Sequence, residues 1–95
     1  MWSVYIIHCA DDTLYTGITN AVDRRLREHA SGGPRAARYL RGRGPLRLVF
    51  TCAAGDRGTA LRIEHRIKKL PRESKEMLIA GKMALDALEH TGDGR

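Results

Sequence analysis

The sequence has 95 residues, which is enough for one domain with a modest core and too few for a second domain. Its 17 lysines and arginines against 11 acidic residues give a formal net charge of +6, which favours a nucleic-acid partner; an anionic membrane is disfavoured because the chain has no long apolar run. No leader-like segment follows Met1, so the sequence predicts a cytoplasmic protein without membrane contact. Cys9 and Cys52 lack metal-ligand spacing, and we expect both to be small core residues.

The first two predicted elements form a hairpin. Residues 2–10 and 14–18 are rich in β-branched and aromatic residues, and the Asp-Asp-Thr sequence at 11–13 is typical of a turn. The first strand is apolar on both faces, which predicts a central strand covered on both sides. Tyr5 and Tyr15 lie near each other in such a hairpin, and the sequence leaves open whether they share a face.

The next element is predicted to be a basic helix that begins with Asn20 as its N-cap and stops at the Ser-Gly-Gly-Pro sequence of 31–34. On a helical wheel whose zero is Val22, His29 falls inside the apolar stripe at about −20° and Arg25 falls on its edge at about −60°. Buried charge must be paired or used, so these two residues are the first indication of a site.

The remaining charged residues of this helix, Arg24, Arg27 and Glu28, are predicted to lie on the opposite face, where water solvates them. Arg25 itself is open to two interpretations. It pairs with Glu64 or another acid, or its charge stays unpaired in a cleft that receives phosphate.

Residues 34–46, named here the arginine loop, are predicted to be extended with at most one helical turn, before a third strand over 46–53. No acidic residue occurs between Glu28 and Asp56, whereas arginine recurs throughout. A block of one charge sign is either a solvated face or a surface that binds an anion. The candidate nucleic-acid-binding residues in this loop and directly after it are Arg35, Arg38, Arg41, Arg43 and Arg47.

A second helix is predicted from the N-cap Asp56 to about residue 70. Glu64 lies on the border of its apolar stripe, and Lys68 lies further round the same border. Glu64 is therefore an ion-pair partner of Arg25 or Lys68, or it is a site residue.

The C-terminal part is predicted to contain a short or kinked helical region over 74–88 around Gly81. The last residues, 91–95, have nothing to bury and are predicted to fray. We therefore expect a single domain over 1–90.

Taken in order, these residues resemble the GIY-YIG nuclease superfamily, in its small single-domain bacterial branch. The resemblance rests on Ser3-Val4-Tyr5, Tyr15-Thr16-Gly17, the helical pair Arg25 and His29, and a helical Glu64. Three structural positions depart from the family's Gly, Ile and Ile, namely Ser3, Val4 and Thr16. The resemblance implies an α+β fold in which a small antiparallel three-stranded sheet is flanked by helices.

The resemblance also implies a metal-dependent endonuclease that hydrolyses phosphodiester bonds in DNA with one Mg²⁺ or Mn²⁺ ion. Tyr5 and Tyr15 would position or deprotonate the attacking water, and Arg25 would hold the scissile phosphate. His29 would orient a tyrosine or relay its proton, and Glu64 would bind the metal. Phosphodiester hydrolysis builds negative charge on the phosphoryl oxygens, which is the physical reason for cations fixed at such a site.

We expect DNA rather than RNA as the substrate, recognised by structure rather than by sequence, in repair or recombination. Lys68 joins the arginines as a candidate nucleic-acid-binding residue. The alternative function is a non-catalytic nucleic-acid-binding module that retains the fold, and a third is a small interaction protein with an acidic partner. In those cases the tyrosines are ordinary strand residues and the histidine is a satisfied core residue. The sequence leaves the oligomeric state open.

Overall fold

The computed structural model describes residues 1–83, and the structural statements below concern that part of the chain. One antiparallel sheet has the strand order β2-β1-β3, with β1 Trp2–His8, β2 Leu14–Thr19 and β3 Arg47–Gly55. The helical elements are α1 Val22–Ser31, a 3₁₀ turn Arg38–Leu40, α2 Arg57–Lys68 and α3 Arg72–Ile79. The predicted fold class, a three-stranded antiparallel sheet flanked by helices, is confirmed.

β1 is the central strand, and its alternating side chains enter two cores. Val4 and Ile6 pack in the first core with apolar residues of α2 and α3. Tyr5 and Ile7 pack in the second core with Leu40 of the arginine loop. The prediction of a strand covered on both faces is therefore confirmed.

The two cysteines are not joined in a disulfide. Cys9 is fully buried in the second core, as predicted. Cys52 is only half-buried, because it lies on β3, an edge strand of the sheet. The prediction that Cys52 is a core residue is therefore corrected to a partly buried position.

The start of α1 differs from the prediction. Ala21, and not Asn20, stands at the N-cap position, and no side chain caps the helix there. The Thr19 hydroxyl accepts a hydrogen bond from the Ala21 N–H at 3.1 Å, so the end of β2 supplies an acceptor for this turn. Asn20 Oδ1 instead accepts a hydrogen bond from Arg24 at 3.5 Å.

The predictions for the arginine loop and α2 agree with the structure. The loop contains one helical turn, and its buried Leu40 anchors it in the second core. The third strand spans nearly the predicted range. Asp56 caps α2, since its Oδ1 accepts the Thr59 N–H at 2.7 Å.

The C-terminal prediction is tested only in part. α3 begins at Arg72, slightly before the predicted helical region over 74–88, and ends at Ile79. Gly81 has a φ of 78°, a left-handed conformation that glycine adopts readily after a helix. The part of that prediction beyond residue 83 and the tail predicted at 91–95 lie outside the described residues. No helix within residues 1–83 combines the length and the apolarity that crossing a bilayer requires.

Candidate active site

The pairing of β1 with β2 places Tyr5 and Tyr15 on one face of the sheet. Tyr5 is opposite Gly17, and Ile7 is opposite Tyr15. Because side chains alternate along a strand, Tyr5 and Ile7 share a face, and so do their cross-strand partners. The two tyrosine rings are diagonal neighbours, with centroids 6.4 Å apart. The question that the sequence left open is therefore answered.

Gly17 leaves the space that the Tyr5 ring occupies. A Cβ atom at position 17 would lie 2.5 Å from Tyr5 Oη and 2.7 Å from Tyr5 Cζ. Such distances are well inside van der Waals contact, so any larger residue would displace the ring. The Tyr-Thr-Gly sequence thus provides both Tyr15 and the room for Tyr5.

His29 is buried beside both tyrosines and forms a hydrogen bond with Tyr5. The Nε2 atom of His29 lies 2.9 Å from Tyr5 Oη, and its Nδ1 atom accepts the N–H of Ala37 at 3.1 Å. A ring nitrogen that accepts an amide hydrogen carries none itself, so the proton of the neutral ring is on Nε2. This network assigns His29 as the hydrogen-bond donor to the Tyr5 oxygen.

Burial keeps both partners of this hydrogen bond uncharged. Burial, reinforced by the charge of Arg25, lowers the pKa of His29 to about 4. Burial, followed by the effect of Tyr15, raises the pKa of Tyr5 to about 12, although Arg25 acts in the opposite direction. At neutral pH the contact therefore joins a neutral imidazole to a neutral phenol.

Arg25 lies half-buried at the edge of α1, as the helical wheel predicts. Its Nη1 donates to Glu28 Oε1 at 3.0 Å and to the backbone oxygen of Arg35 at 2.6 Å. These two acceptors use the hydrogens of Nη1, and the guanidinium also interacts with the Tyr5 hydroxyl. A planar guanidinium of this kind can form a fork on phosphate oxygens. Arg25 is therefore paired in the free protein, with Glu28 rather than with Glu64.

The predicted placement of Glu28 on a solvated face is wrong. Its side chain is only 20% exposed, because the arginine loop folds against this side of α1. Three arginines lie within 4.0 Å of its carboxylate, namely Arg24, Arg25 and Arg35. The hydrogen bond from Arg25 holds the pKa of Glu28 below its usual value.

Tyr39, which the sequence reasoning missed, belongs to the same aromatic group. Its ring stacks on Tyr15 with a centroid distance of 5.7 Å and an interplanar angle of 27°, and it remains 43% exposed. Tyr15 in turn meets the ring of His29 edge-on at 5.7 Å. The only sequence signal was an aromatic residue within a block of arginines, and the contact depends on how the arginine loop docks.

Arg43 supports Tyr39 rather than projecting freely into solvent. Its guanidinium lies 4.3 Å from the centroid of the Tyr39 ring, and its Nε donates to the Tyr39 backbone oxygen at 2.6 Å. Its Nη1 forms an ion pair with Asp11 of the hairpin turn. The charge of this predicted nucleic-acid-binding residue is therefore already neutralised within the protein.

The other candidate nucleic-acid-binding arginines differ in how the protein holds them. Arg41 donates to the backbone oxygens of Gly33 and Pro34 at 3.4 and 3.3 Å. Arg38 is exposed, and within residues 1–83 its side chain has no hydrogen bond or ion pair. Arg47 lies apart from them at the start of β3, in a groove of about 220 Å³ that it shares with residues of α3.

Glu64 lies on α2 in the wall of an open groove of about 420 Å³. Its side chain is 18% exposed, and its Oε2 lies 3.4 Å from Lys68 Nζ. Of the two partners that the sequence suggests, Arg25 and Lys68, the structure shows Lys68. The pKa of Tyr5 is raised mainly by burial, and the negative charge of Glu64 raises it further. Glu64 therefore lies close enough to Tyr5 for the two groups to interact electrostatically.

Comparison with known proteins identifies the family. A family model described as the GIY-YIG catalytic domain matches residues 1–77. The chain belongs to the GIY-YIG family. The matched range contains the five candidate catalytic residues Tyr5, Tyr15, Arg25, His29 and Glu64. The resemblance to this nuclease family in the sequence is confirmed.

The relatives are UPF0213 proteins of similar length. A UPF0213 protein of Cronobacter sakazakii is 49% identical over 88 residues, which cover 93% of this chain and 90% of the relative. UPF0213 protein YhbQ of Salmonella typhimurium is 49% identical over 87 residues, which cover 92% of this chain and 85% of the relative. The solution NMR structure of UPF0213 protein BH0048 from Bacillus halodurans is 42% identical, covers 100% of both chains and has a TM-score of 0.55.

GIY-YIG nucleases generally depend on a divalent metal ion, and the donor atoms of this chain are compatible with one. Residues 1–83 contain no cluster of three or more His, Cys, Asp or Glu side chains that could enclose an ion. Glu64 is thus a lone carboxylate in an open groove, and most of a coordination shell is left to water and phosphate oxygens. Mg²⁺ is usually bound in this way, and Mn²⁺ accepts the same oxygen ligands, so the residues present fit one such ion.

Proposed function

We propose that this GIY-YIG chain is a metal-dependent endonuclease that hydrolyses phosphodiester bonds in DNA. The observation that carries the proposal is the position of Tyr5, whose hydroxyl is held by a neutral His29 and influenced by the charge of Arg25. An ordinary core has no need for a buried phenol, a buried imidazole and a guanidinium in one place. Phosphodiester hydrolysis can use all three, because it needs an activated water and a fixed positive charge beside the phosphoryl oxygens.

In this proposal Arg25 holds the scissile phosphate. Its guanidinium can bind phosphate oxygens next to Tyr5, while Glu28 and the Arg35 backbone keep Nη1 in place. A guanidinium fixed in advance stabilises the charge that develops on these oxygens in the transition state. The protein thereby avoids reorganising this group during the reaction.

Tyr5 acts on the attacking water in its ionised form. Its pKa of about 12 leaves it protonated in the free protein, so ionisation requires the cations that assemble with the substrate. Tyr5 first loses its proton to solvent, and the tyrosinate then takes one proton from the attacking water. The resulting hydroxide forms a bond to phosphorus, the bond from phosphorus to the leaving oxygen breaks, and that oxygen takes a proton from solvent. The Nε2–H of His29 stabilises the tyrosinate before it takes the proton from water and orients the phenol afterwards.

This arrangement supports an orienting role for His29 over a proton relay. To take the Tyr5 proton, Nε2 would have to lose its own hydrogen to Nδ1, or the ring would have to become an imidazolium. Either change would direct an N–H at the N–H of Ala37, which now donates to Nδ1. The low pKa of His29 is consistent with the same preference.

Glu64 would hold the metal ion, which supplies positive charge to the phosphoryl and leaving oxygens when bound. The exposed arginines beside the tyrosine face, Arg35, Arg38 and Arg41, would bind the phosphate backbone. Arginines on a loop contact phosphates more readily than base edges, which supports recognition of DNA structure rather than sequence. Arg47 and Lys68 would extend this contact to other faces of the domain.

The test is an incubation of the purified protein with single-stranded, duplex and branched DNA and with RNA. Each substrate is assayed with Mg²⁺, with Mn²⁺ and with chelator, and the variant Tyr5→Phe serves as the matched control. We expect cleavage only with metal and only with Tyr5 present. Binding without cleavage under every condition would support the alternative, a non-catalytic nucleic-acid-binding module that retains the fold.

A further inference from the structure

Lys68 lies where it neutralises Glu64, the carboxylate that would hold the metal ion in the proposed function. Its Nζ is 3.4 Å from Glu64 Oε2, and the two residues are one helical turn apart on α2. The Lys68 side chain is 55% exposed and that of Glu64 only 18%. The ammonium group and a divalent cation are attracted to the same oxygens and repel each other, so they compete for Glu64.

We infer that Lys68 is an exchange residue, which neutralises Glu64 until a divalent ion binds and then binds a phosphate of the nucleic acid. The inference rests on the proposed function, because it requires the metal at Glu64. Lysine suits such a role, since its compact charge sits on a flexible stem and has no fixed geometry to lose. Its exposure leaves room for the ammonium group to rotate away from the carboxylate.

The surroundings of Lys68 offer a phosphate a place to bind. Lys68 and Glu64 line the same open groove of about 420 Å³, and the groove is also lined by Leu61, Arg62 and His65. Arg62 brings a second cation to it, and its Nη2 donates only to the hydroxyl of Thr59 among the described residues. Once metal neutralises Glu64, the groove carries an excess of positive charge that attracts a phosphate.

The exchange makes metal binding and nucleic-acid binding cooperative. Metal at Glu64 releases Lys68 for a phosphate, and a phosphate that holds Lys68 leaves Glu64 available to metal. By linkage, each ligand raises the affinity of the other by the same factor. Removing the Lys68 charge should therefore strengthen metal binding in the absence of nucleic acid. It should also weaken the cooperativity between metal and nucleic acid.

Lys69 is the matched control for this charge. It follows Lys68 at the end of α2, is exposed, and makes no side-chain hydrogen bond or ion pair within residues 1–83. Lys68→Met and Lys69→Met remove the same charge from the same end of the helix. A difference between them therefore reports the contact with Glu64 and not the net charge of the domain.

The first experiment is a titration of the protein with Mn²⁺ alone, followed by electron paramagnetic resonance of the free ion. We expect Lys68→Met to bind Mn²⁺ roughly two- to fivefold more tightly than Lys69→Met, the scale of a partly exposed ion pair. Glu64→Gln should abolish the binding in each background. Equal affinities in the two lysine variants, with binding that still depends on Glu64, would overturn the exchange and leave the metal assignment standing.

The second experiment measures the affinity for a branched DNA in Ca²⁺ and in chelator. The gain in affinity on adding Ca²⁺ should be the same in Lys69→Met as in the wild type and several-fold smaller in Lys68→Met. An undiminished gain in Lys68→Met would overturn the exchange. Wild-type protein that binds no Mn²⁺ at Glu64 would overturn the metal assignment of the proposed function, and the exchange with it.

Discussion

Tyr5 and His29 form a hydrogen bond of 2.9 Å in which the histidine donates, because the N–H of Ala37 already occupies the other ring nitrogen. Tyr5 lies on β1, and Ala37, whose N–H binds the other ring nitrogen of His29, lies in the arginine loop. The loop that carries the candidate phosphate-binding arginines therefore also sets which nitrogen of His29 carries the proton. In the proposed function, phosphate binding and the role of Tyr5 would therefore depend on the same segment of the chain.

The burial of His29 predicts a pH dependence of stability. The pKa of His29 is lowered from 6.5 to about 4 in the folded protein, so between these values the unfolded chain binds more protons. His29 therefore contributes to the free energy of unfolding in full above pH 6.5, and this contribution is lost as the pH falls towards 4. Chemical denaturation of the wild type and of His29→Gln across this range should show that only the wild type takes up the extra proton on unfolding.

His65 provides the control, since it is exposed on α2. His65→Gln should retain the pH dependence of the wild type. If the free energy of unfolding depended on pH in His29→Gln as it does in the wild type, the pKa of His29 would not be lowered by folding. The basis for a neutral, orienting His29 would then be removed.

The second prediction concerns Gly17. Gly17→Ala should lower the free energy of unfolding by about 1–3 kcal/mol, the usual range for overpacking, because the new Cβ displaces the Tyr5 ring. The displacement should also break the contact with His29 and abolish cleavage by the folded fraction. Gly33→Ala is the matched control, since its Cβ would meet only Ser31 Oγ, at an ordinary 3.5 Å. Wild-type cleavage by folded Gly17→Ala would mean that the position of Tyr5 is not critical.

The sequence predicted the features of the site that depend on local periodicity. His29 within the apolar stripe of α1 and Arg25 at its edge follow from the helical repeat alone, and both positions are observed. The cap at Asp56 is also local, because its acceptor lies within the first turn of α2. The hairpin likewise followed from strand composition and the turn between the strands, whereas Tyr5 and Tyr15 were predicted as site residues from the resemblance to the GIY-YIG family.

The features that the sequence missed depend on contacts between distant segments. Glu28 was placed in solvent because a helical wheel does not include the arginine loop that covers it. Tyr39 was missed for the same reason, since its stacking on Tyr15 exists only once that loop docks on the sheet. The Asn20 cap is not observed, because the helix begins one residue later with Ala21 at the N-cap position and the Asn20 side chain accepts a hydrogen bond from Arg24.

The third prediction separates the structural and catalytic roles of Arg25. Arg25→Met leaves Glu28 with less charge compensation and loses the bond to the Arg35 backbone, so the melting temperature should fall by roughly 5 °C. Cleavage by the folded protein should fall by about a hundredfold or more, since a charge that binds the transition state is lost. The double variant with Glu28→Gln should recover stability without recovering cleavage. Arg25→Lys should restore little activity, because lysine lacks the planar fork.

Cleavage preserved in Arg25→Met, with only stability lost, would contradict the phosphate-binding role. Arg25 would then be a structural partner of Glu28, and the proposed mechanism would lose its phosphate ligand.

The fourth prediction distinguishes Arg43 from the exposed arginines of its loop. Arg38→Ala should weaken nucleic-acid binding and reduce the slope of log K against log salt by about one. Arg43→Ala should change that slope little, because Asp11 already neutralises its charge. It should instead reduce the maximal cleavage rate, since Tyr39 loses the guanidinium that holds it against Tyr15. If Arg38→Ala and Arg43→Ala reduced the slope of log K against log salt equally, Arg43 would also bind nucleic acid.

The central claim is that Glu64 supports metal-dependent cleavage, and a single-turnover cleavage assay of Glu64→Gln at saturating Mg²⁺ tests it most directly. Glutamine keeps the size of the side chain and removes the charge, and Glu73→Gln, an exposed acid in the first turn of α3, is the control. We expect Glu64→Gln to lose cleavage while binding DNA in chelator at least as tightly as the wild type, because a negative charge near phosphate is gone. Glu73→Gln should cleave normally. Equal cleavage rates for Glu64→Gln and the wild type would contradict the metal assignment.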